Sequence, residues 1–199
     1  MKNNKKLLFL CCVSVLVLSI GGTLAYFTYL DRLKNQFTVG HSSITIEEEF
    51  KPPKELEAGK NIFKKRVQIK NDGTVPCFIR VYTDFSSSKI KKLASISPDG
   101  IDFIPAESYQ DHLPEGWEYI EETDTLLGGY YYWTMPVEVG DVTAPLFDTV
   151  KVTFENVDQV KDFDIILYSE CVQVLDKDGA EFPGAEPWKQ AWTEFLERR

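Results

Sequence analysis

A chain of 199 residues, 43% hydrophobic and 13% aromatic, is too apolar for a disordered protein and short enough for a single domain. Its 31 acidic against 22 basic side chains give a formal charge of −9, which repels phosphate backbones and anionic headgroups and argues against nucleic-acid and peripheral membrane binding. Divalent cations or basic partners suit such a surface, and so does solvation with no specific ligand.

The first residues read as an export signal. Lys2, Lys5 and Lys6 form a basic start, Leu7 to Ile20 an apolar run, and Gly21-Gly22-Thr23-Leu24-Ala25 a helix-breaking pair that leads to a small-x-small triplet. That layout predicts cleavage after Ala25, with Thr23 and Ala25 in the peptidase cleft and Tyr26 as the new amino terminus. The competing reading is an uncleaved anchor, because Leu7 to Leu30 carries no charge, but the glycine pair divides the run. Cys11 and Cys12 fill the apolar run and lack a lipoprotein context. Cleavage removes three lysines and no acid, taking the charge from −9 to −12.

Beyond the signal, turn residues separate runs of strand-like composition. Ser43-Ile44-Thr45-Ile46 alternates within Phe37 to Phe50, and Lys51 to Lys60, with Pro52-Pro53, reads as a loop. Val67 to Lys70 reads as a strand stopped by Asn71-Asp72-Gly73. Val75 to Thr83 places Cys77, Ile79 and Val81 on one face and Phe78, Arg80 and Tyr82 on the other, the pattern expected of a half-buried strand. Ser86 to Leu93 predicts one or two helical turns, and Pro98-Asp99-Gly100 a turn. Trp117 to Ile120 and Tyr130 to Thr134 predict two strands around Leu126 to Gly129. Val150 to Phe154 alternates, and Phe163 to Leu175 is a long strand candidate. Short strands at this spacing predict an antiparallel sandwich. After Pro183-Gly184 and Glu186-Pro187, the residues Trp188, Ala191, Trp192, Phe195 and Leu196 follow helical spacing. The expected element is an amphipathic helix covering one end of the sandwich; a helix that docks a partner is the alternative.

A catalytic constellation is not visible. His41 and His112 have no metal-ligand spacing, and no nucleophile elbow or phosphate-binding glycine loop occurs; both histidines are expected at the surface. Asp176-Lys177-Asp178-Gly179 reads as a turn rather than a calcium loop. Glu47-Glu48-Glu49 and the group Glu121, Glu122, Asp124 read as solvated charge. The expectation is therefore no enzyme, no metal and no cofactor. Cys77 and Cys171 are the two cysteines of the exported part; in an oxidising compartment they permit a disulfide, and buried free thiols are the alternative.

Several segments resemble one family. Gly21-Gly22-Thr23-Leu24-Ala25-Tyr26-Phe27-Thr28, followed by Asn35-x-Phe37-Thr38-Val39-Gly40, resembles the signal of proteins processed by the SipW signal peptidase, the TasA and camelysin family of Gram-positive bacteria. The resemblance continues through Lys70 to Val81, Gly129-Tyr130-Tyr131-Tyr132, Gly140-x-x-Thr143-x-Pro145-Leu146-Phe147 and Ser169-Glu170-Cys171-Val172-Gln173, where family members usually carry small residues in place of Cys171. It implies a jelly-roll-like β-sandwich, secreted or wall-associated, and subunits that polymerise into biofilm matrix fibres, one subunit's amino-terminal strand completing the next subunit's sheet. Carried onto this chain, the donor lies within Tyr26 to Val39, with Phe27, Tyr29, Leu33, Phe37 and Val39 as apolar anchors; Asp31 to Lys34 interrupt the alternation. Folding back as the first strand of its own sheet, or a wall-spanning tether, is the alternative for this segment.

The expected organisation is thus a signal at 1–25, an extension at 26–40, a mainly β domain with short helical insertions at 41–182 and a helix at 183–199. The expected role is structural, at the cell surface or in the extracellular matrix. Expected partners are a SipW-type peptidase, further copies of the chain and other matrix or wall proteins, with the membrane met during export only (or retained as an amino-terminal anchor). A monomeric accessory protein or adhesin using the Tyr130 to Trp133 aromatics or the last helix is the alternative. A camelysin-type metalloprotease is the remaining reading, and it lacks a matching ligand set.

Overall fold

The computed structural model describes residues 41–198, which belong to one compact unit; the predicted signal at 1–25 and the predicted extension at 26–40 lie outside the described residues. In chain order the strands are β1 (Ile44–Lys51), β2 (Gly59–Asn71), β3 (Cys77–Phe85), β4 (Ala94–Ser97), β5 (Ile104–Pro105), β6 (Trp117–Ile120), β7 (Tyr130–Val137), β8 (Phe147–Phe154) and β9 (Ile165–Gln173). Two α-helices, α1 (Ser88–Leu93) and α2 (Pro187–Glu197), and two short 3-10 turns complete the described part. One sheet has the order β1-β2-β8-β4-β5 and the other β6-β7-β3-β9, with every pairing antiparallel. The chain is mainly β, as its alternating runs predict.

The two sheets share one apolar core. Strand alternation sends Val67 and Ile69 of β2, Ile79 and Val81 of β3, Val150 and Val152 of β8 and Trp133 of β7 into it, all buried. Burying one such aliphatic side chain contributes about 1.5–3 kcal/mol. Two polar groups in the core find carbonyl partners: the Tyr109 hydroxyl donates to the Leu146 carbonyl at 2.6 Å, and the Trp117 indole N–H to the Ala144 carbonyl at 3.0 Å.

Asn71-Asp72-Gly73 does not close a hairpin, as its composition suggests. It carries the chain from one sheet to the other, since β2 and β3 never pair. The fully buried Asn71 amide donates to the Val75 carbonyl at 2.9 Å and the Val137 carbonyl at 2.8 Å, and its oxygen accepts from the Gly73 N–H at 2.9 Å. A Cβ at Gly73 would stand 2.5 Å from the His41 carbonyl, so that position needs glycine. The run Gly140 to Leu146 also acquires a physical role. Gly140 donates to the Asn71 carbonyl, Thr143 to the Ile69 carbonyl and Leu146 to the Val67 carbonyl, which extends β2's pairing past the bulge between Lys64 and Val67.

β3 is buried on both faces, where a half-buried strand is expected. The reason lies about a hundred residues further along the chain: α2 covers the outer face of its sheet. Trp188, Ala191 and Trp192 pack on Phe78, Tyr132, Leu127 and Val172 as a second apolar cluster. The helix therefore lies across a sheet face rather than capping one end. At the centre Arg80, only 3% exposed, donates through Nε to Glu170 at 2.8 Å and through Nη2 to the same carboxylate, while its guanidinium lies 4.0 Å from the Tyr130 ring centroid and 4.3 Å from that of Trp192. Burial opposes the guanidinium charge, but hydrogen bonds with Tyr132 and Glu170 outweigh it and leave the pKa raised.

Breaking that pair leaves an uncompensated buried charge. Glu170→Ala is expected to cost about 3–5 kcal/mol in urea unfolding, and Arg80→Met combined with Glu170→Leu clearly less than either single change. Additive losses in the double variant would count against this account.

Candidate functional site

Four strands form the sheet edges, and they differ. β5 has 2 residues and β6 has 4, too short to template another strand. β1 has 8 residues but carries Glu47, Glu48, Glu49 and Lys51, the charge pattern that discourages edge pairing. β9 has 9 residues, and Glu170, already bonded to Arg80, is its sole charged side chain. No other strand of the described residues pairs with the side of β9 turned away from β3. The outward face of β9 beyond α2 shows Ile166 and Tyr168, 46% and 53% exposed, beside their β3 neighbours Asp84 and Tyr82.

A groove opens at each end of this edge. The first, about 450 Å³, lies between the end of β1, the loop from Pro52 to Leu56 and the residues entering β9. Its floor is aromatic: the Phe63 ring stands 6.0 Å from that of Phe50 and 6.3 Å from that of Phe163. Lys65 is buried on one wall, held by Glu48 at 2.8 Å and by the Phe50 ring at 4.7 Å. The second groove, about 430 Å³, lies between Cys171 to Gln173 of β9 and the Ala191 and Phe195 side of α2, with Ser42 on its rim. The buried Ser42 hydroxyl has no hydrogen-bond partner among the described residues.

The start of the described chain is pinned at this second groove. His41 N–H donates to the Thr74 hydroxyl at 2.9 Å, the His41 carbonyl accepts from Thr74 N–H at 2.8 Å, and the Ser43 carbonyl accepts from Asp72 N–H at 2.9 Å. The predicted cleavage residues Thr23, Ala25 and Tyr26 and the predicted anchors Phe27, Tyr29, Leu33, Phe37 and Val39 all lie outside the described residues.

Cys77 and Cys171 stand on neighbouring strands, where β3 pairs with β9, one diagonal step apart. Both are free thiols in the structure. The neighbouring Cys171 sulfur first, and then burial, push the Cys77 thiol up, while Cys77 beside it lowers Cys171.

The remaining sequence candidates resolve by packing. His41 and His112 are exposed. Asp176 accepts from the N–H of Asp178 and of Ala180 at 2.8 and 2.9 Å, with Gly179 at φ 79°, which is a turn. Glu48 and Glu49 form ion pairs with Lys65 and Lys51 at 2.8 Å each, while Glu47 accepts from Gln68 at 3.0 Å, so this run does more than meet solvent. Asp124 caps the turn before β7 by accepting from Leu126 and Leu127 N–H. Tyr131, Tyr132 and Trp133 are buried, and the tryptophan stripe of α2 is spent on its own domain. Both surfaces offered for an accessory binder are thereby covered. The edge of β9 and its two grooves were missed at the sequence level; the uncharged run Ile165 to Ser169 was the available signal.

In the reduced protein, iodoacetamide is expected to modify Cys171 before Cys77, because Cys77 is fully buried and holds its proton more tightly. Peptide mass mapping over time checks the order; equal rates, or Cys77 first, would contradict it.

No protein-family model and no curated protein sequence matches the chain.

Proposed function

We propose that this chain is an exported, non-enzymatic structural protein of the cell surface or extracellular matrix that assembles by strand addition at the outer edge of β9. The two antiparallel sheets are then a jelly-roll-like sandwich, as the resemblance to the TasA and camelysin family implies. The donor is the segment Tyr26 to Val39 of a neighbouring copy, released by a SipW-type peptidase after Ala25.

One observation carries the reading: β9 is a long edge without the protections that the other three edges possess. An extended segment added there pairs with the outer edge of β9, and alternate side chains enter flanking pockets. The two grooves supply such pockets at either end of the edge, one with an aromatic floor suited to Phe27 or Tyr29.

The test is size-exclusion chromatography with electron microscopy on Tyr26–Arg199, on a form lacking Tyr26 to Val39, and on Ile166→Lys with Tyr168→Lys. Filaments are expected from the first alone, and added Tyr26–Val39 peptide should cap the shortened form as a monomer. Monomers from all three, at high concentration and across pH, would shift the role to a monomeric accessory binder. Filaments that persist without Tyr26 to Val39 would reject strand donation.

A further inference from the structure

The second groove holds a reactive group that strand addition leaves unused. We propose that it is a site of thiol–disulfide exchange, at which Cys171 attacks a low-molecular-weight disulfide and Cys77 resolves the product to a cross-strand bond within one subunit.

Register brings the two sulfurs together. Cys77 pairs with Gln173, and Ile79 pairs with Cys171. Cys77 and Ile79 are two residues apart on β3, so Cys171 points to the same face as Cys77, one diagonal step away. Both touch the shared core, Cys77 as a member and Cys171 packed against it. Each thiol shifts the titration of the other, which requires neighbouring sulfurs. Closing a bond from there calls for side-chain rotation and a small approach of the strands, not for a new pairing.

Access is unequal, and this sets the order of attack. Cys77 is fully buried, whereas Cys171 is partly exposed and lines the groove of about 430 Å³, together with Ala191 and Phe195 of α2. A small disulfide therefore meets Cys171 first. Cys77 beside it holds the Cys171 thiol below its ordinary value, so the accessible sulfur is also the more readily ionised. Lys177 lines the same groove, as does Ser42, whose buried hydroxyl has no partner among the described residues. An incoming disulfide that carries carboxylates and amides thus finds a cation and an unused hydrogen-bonding group.

The exchange balances. The Cys171 thiolate attacks one sulfur of the small disulfide, that S–S bond breaks, and the departing thiolate takes up the proton that Cys171 released. Cys171, now in a mixed disulfide, bears no charge beside Cys77, which removes the foremost cause that held the Cys77 proton. Cys77 then gives up its proton and attacks the Cys171 sulfur, and the second small thiol leaves. The protein loses two electrons and two protons, and the small disulfide gains both. The new bond fastens β9, the last strand of its sheet, to β3. It lies inside one subunit and does not depend on assembly.

Reduced Tyr26–Arg199, which keeps the whole described unit and only these two cysteines, is incubated with oxidised glutathione, quenched in acid, alkylated and peptide-mapped. A bond between Cys77 and Cys171 is expected in the folded wild type, preceded by a transient glutathione adduct at Cys171. Cys77→Ala should accumulate that adduct. Cys171→Ala should react at Cys77 at least about tenfold more slowly than the wild type reacts at Cys171. A wild type that stays reduced, stops at the adduct, or joins one copy to another overturns the proposal without reference to the variants. So does an adduct formed first at Cys77, or a bond that forms only after urea has unfolded the chain.

Discussion

A guanidinium taken out of water has to recover, from protein groups, the several kcal/mol of hydration that it loses. Arg80 sits at the middle of an outer sheet face, and the packing around it is the recovery. Glu170 on the neighbouring strand supplies two charged hydrogen bonds, Tyr130 and Trp192 supply ring faces, and the Tyr132 hydroxyl stands 3.5 Å from Nη1. One of those rings belongs to α2, so the helix and the arginine depend on each other. The second apolar cluster follows, because Trp188 and Trp192 cannot reach Tyr132 unless the helix lies flat across the face. Lys189, bridged to Glu118 at 3.0 Å, ties the same helix to β6.

That arrangement also decides which part of the molecule stays open. α2 covers the half of the outer face at Phe78, Val172 and Tyr132 and leaves the half at Tyr82, Tyr168 and Ile166 uncovered. The uncovered half adjoins the outer side of β9, with which no other strand of the described residues pairs. An apolar, uncharged strand edge beside an apolar face is the surface that strand-adding assemblies use and that stable monomers avoid. The edge and the buried arginine are linked through Glu170: the one charge that β9 carries is withdrawn from the edge to neutralise Arg80.

Much of this was legible in the residues, and the failures have local causes. β6 was placed to the residue, and β7, β8 and α1 within a few, because their alternation or spacing is not contradicted by neighbours. β2 reads from sequence as a four-residue strand following a loop, since Lys60, Lys64, Lys65 and Arg66 hide an unbroken inward row of Asn61, Phe63, Lys65, Val67, Ile69 and Asn71. Lys65 in particular looks like an exposed residue until Glu48 and Phe50 are placed beside it. Arg80 misled in the opposite direction. A charged residue in a strand predicts a solvated face, and nothing within ten residues of it announces the helix that covers it. Pairing of β3 with β9, and with it the approach of Cys77 to Cys171, is a tertiary fact that no short-range pattern carries. The edge of β9 was invisible for the same reason: an uncharged strand reads equally as a central strand until its neighbours are counted.

Charge distribution bears on the proposed assembly. A chain of net charge −9 in full, and more negative once a lysine-bearing signal is removed, resists self-association unless the surfaces that meet are locally neutral. Around β1, β2 and β9 four acids are matched, which lowers the local excess: Glu170 by Arg80, Glu48 by Lys65, Glu49 by Lys51, and Asp148 by both Lys64 and Arg66.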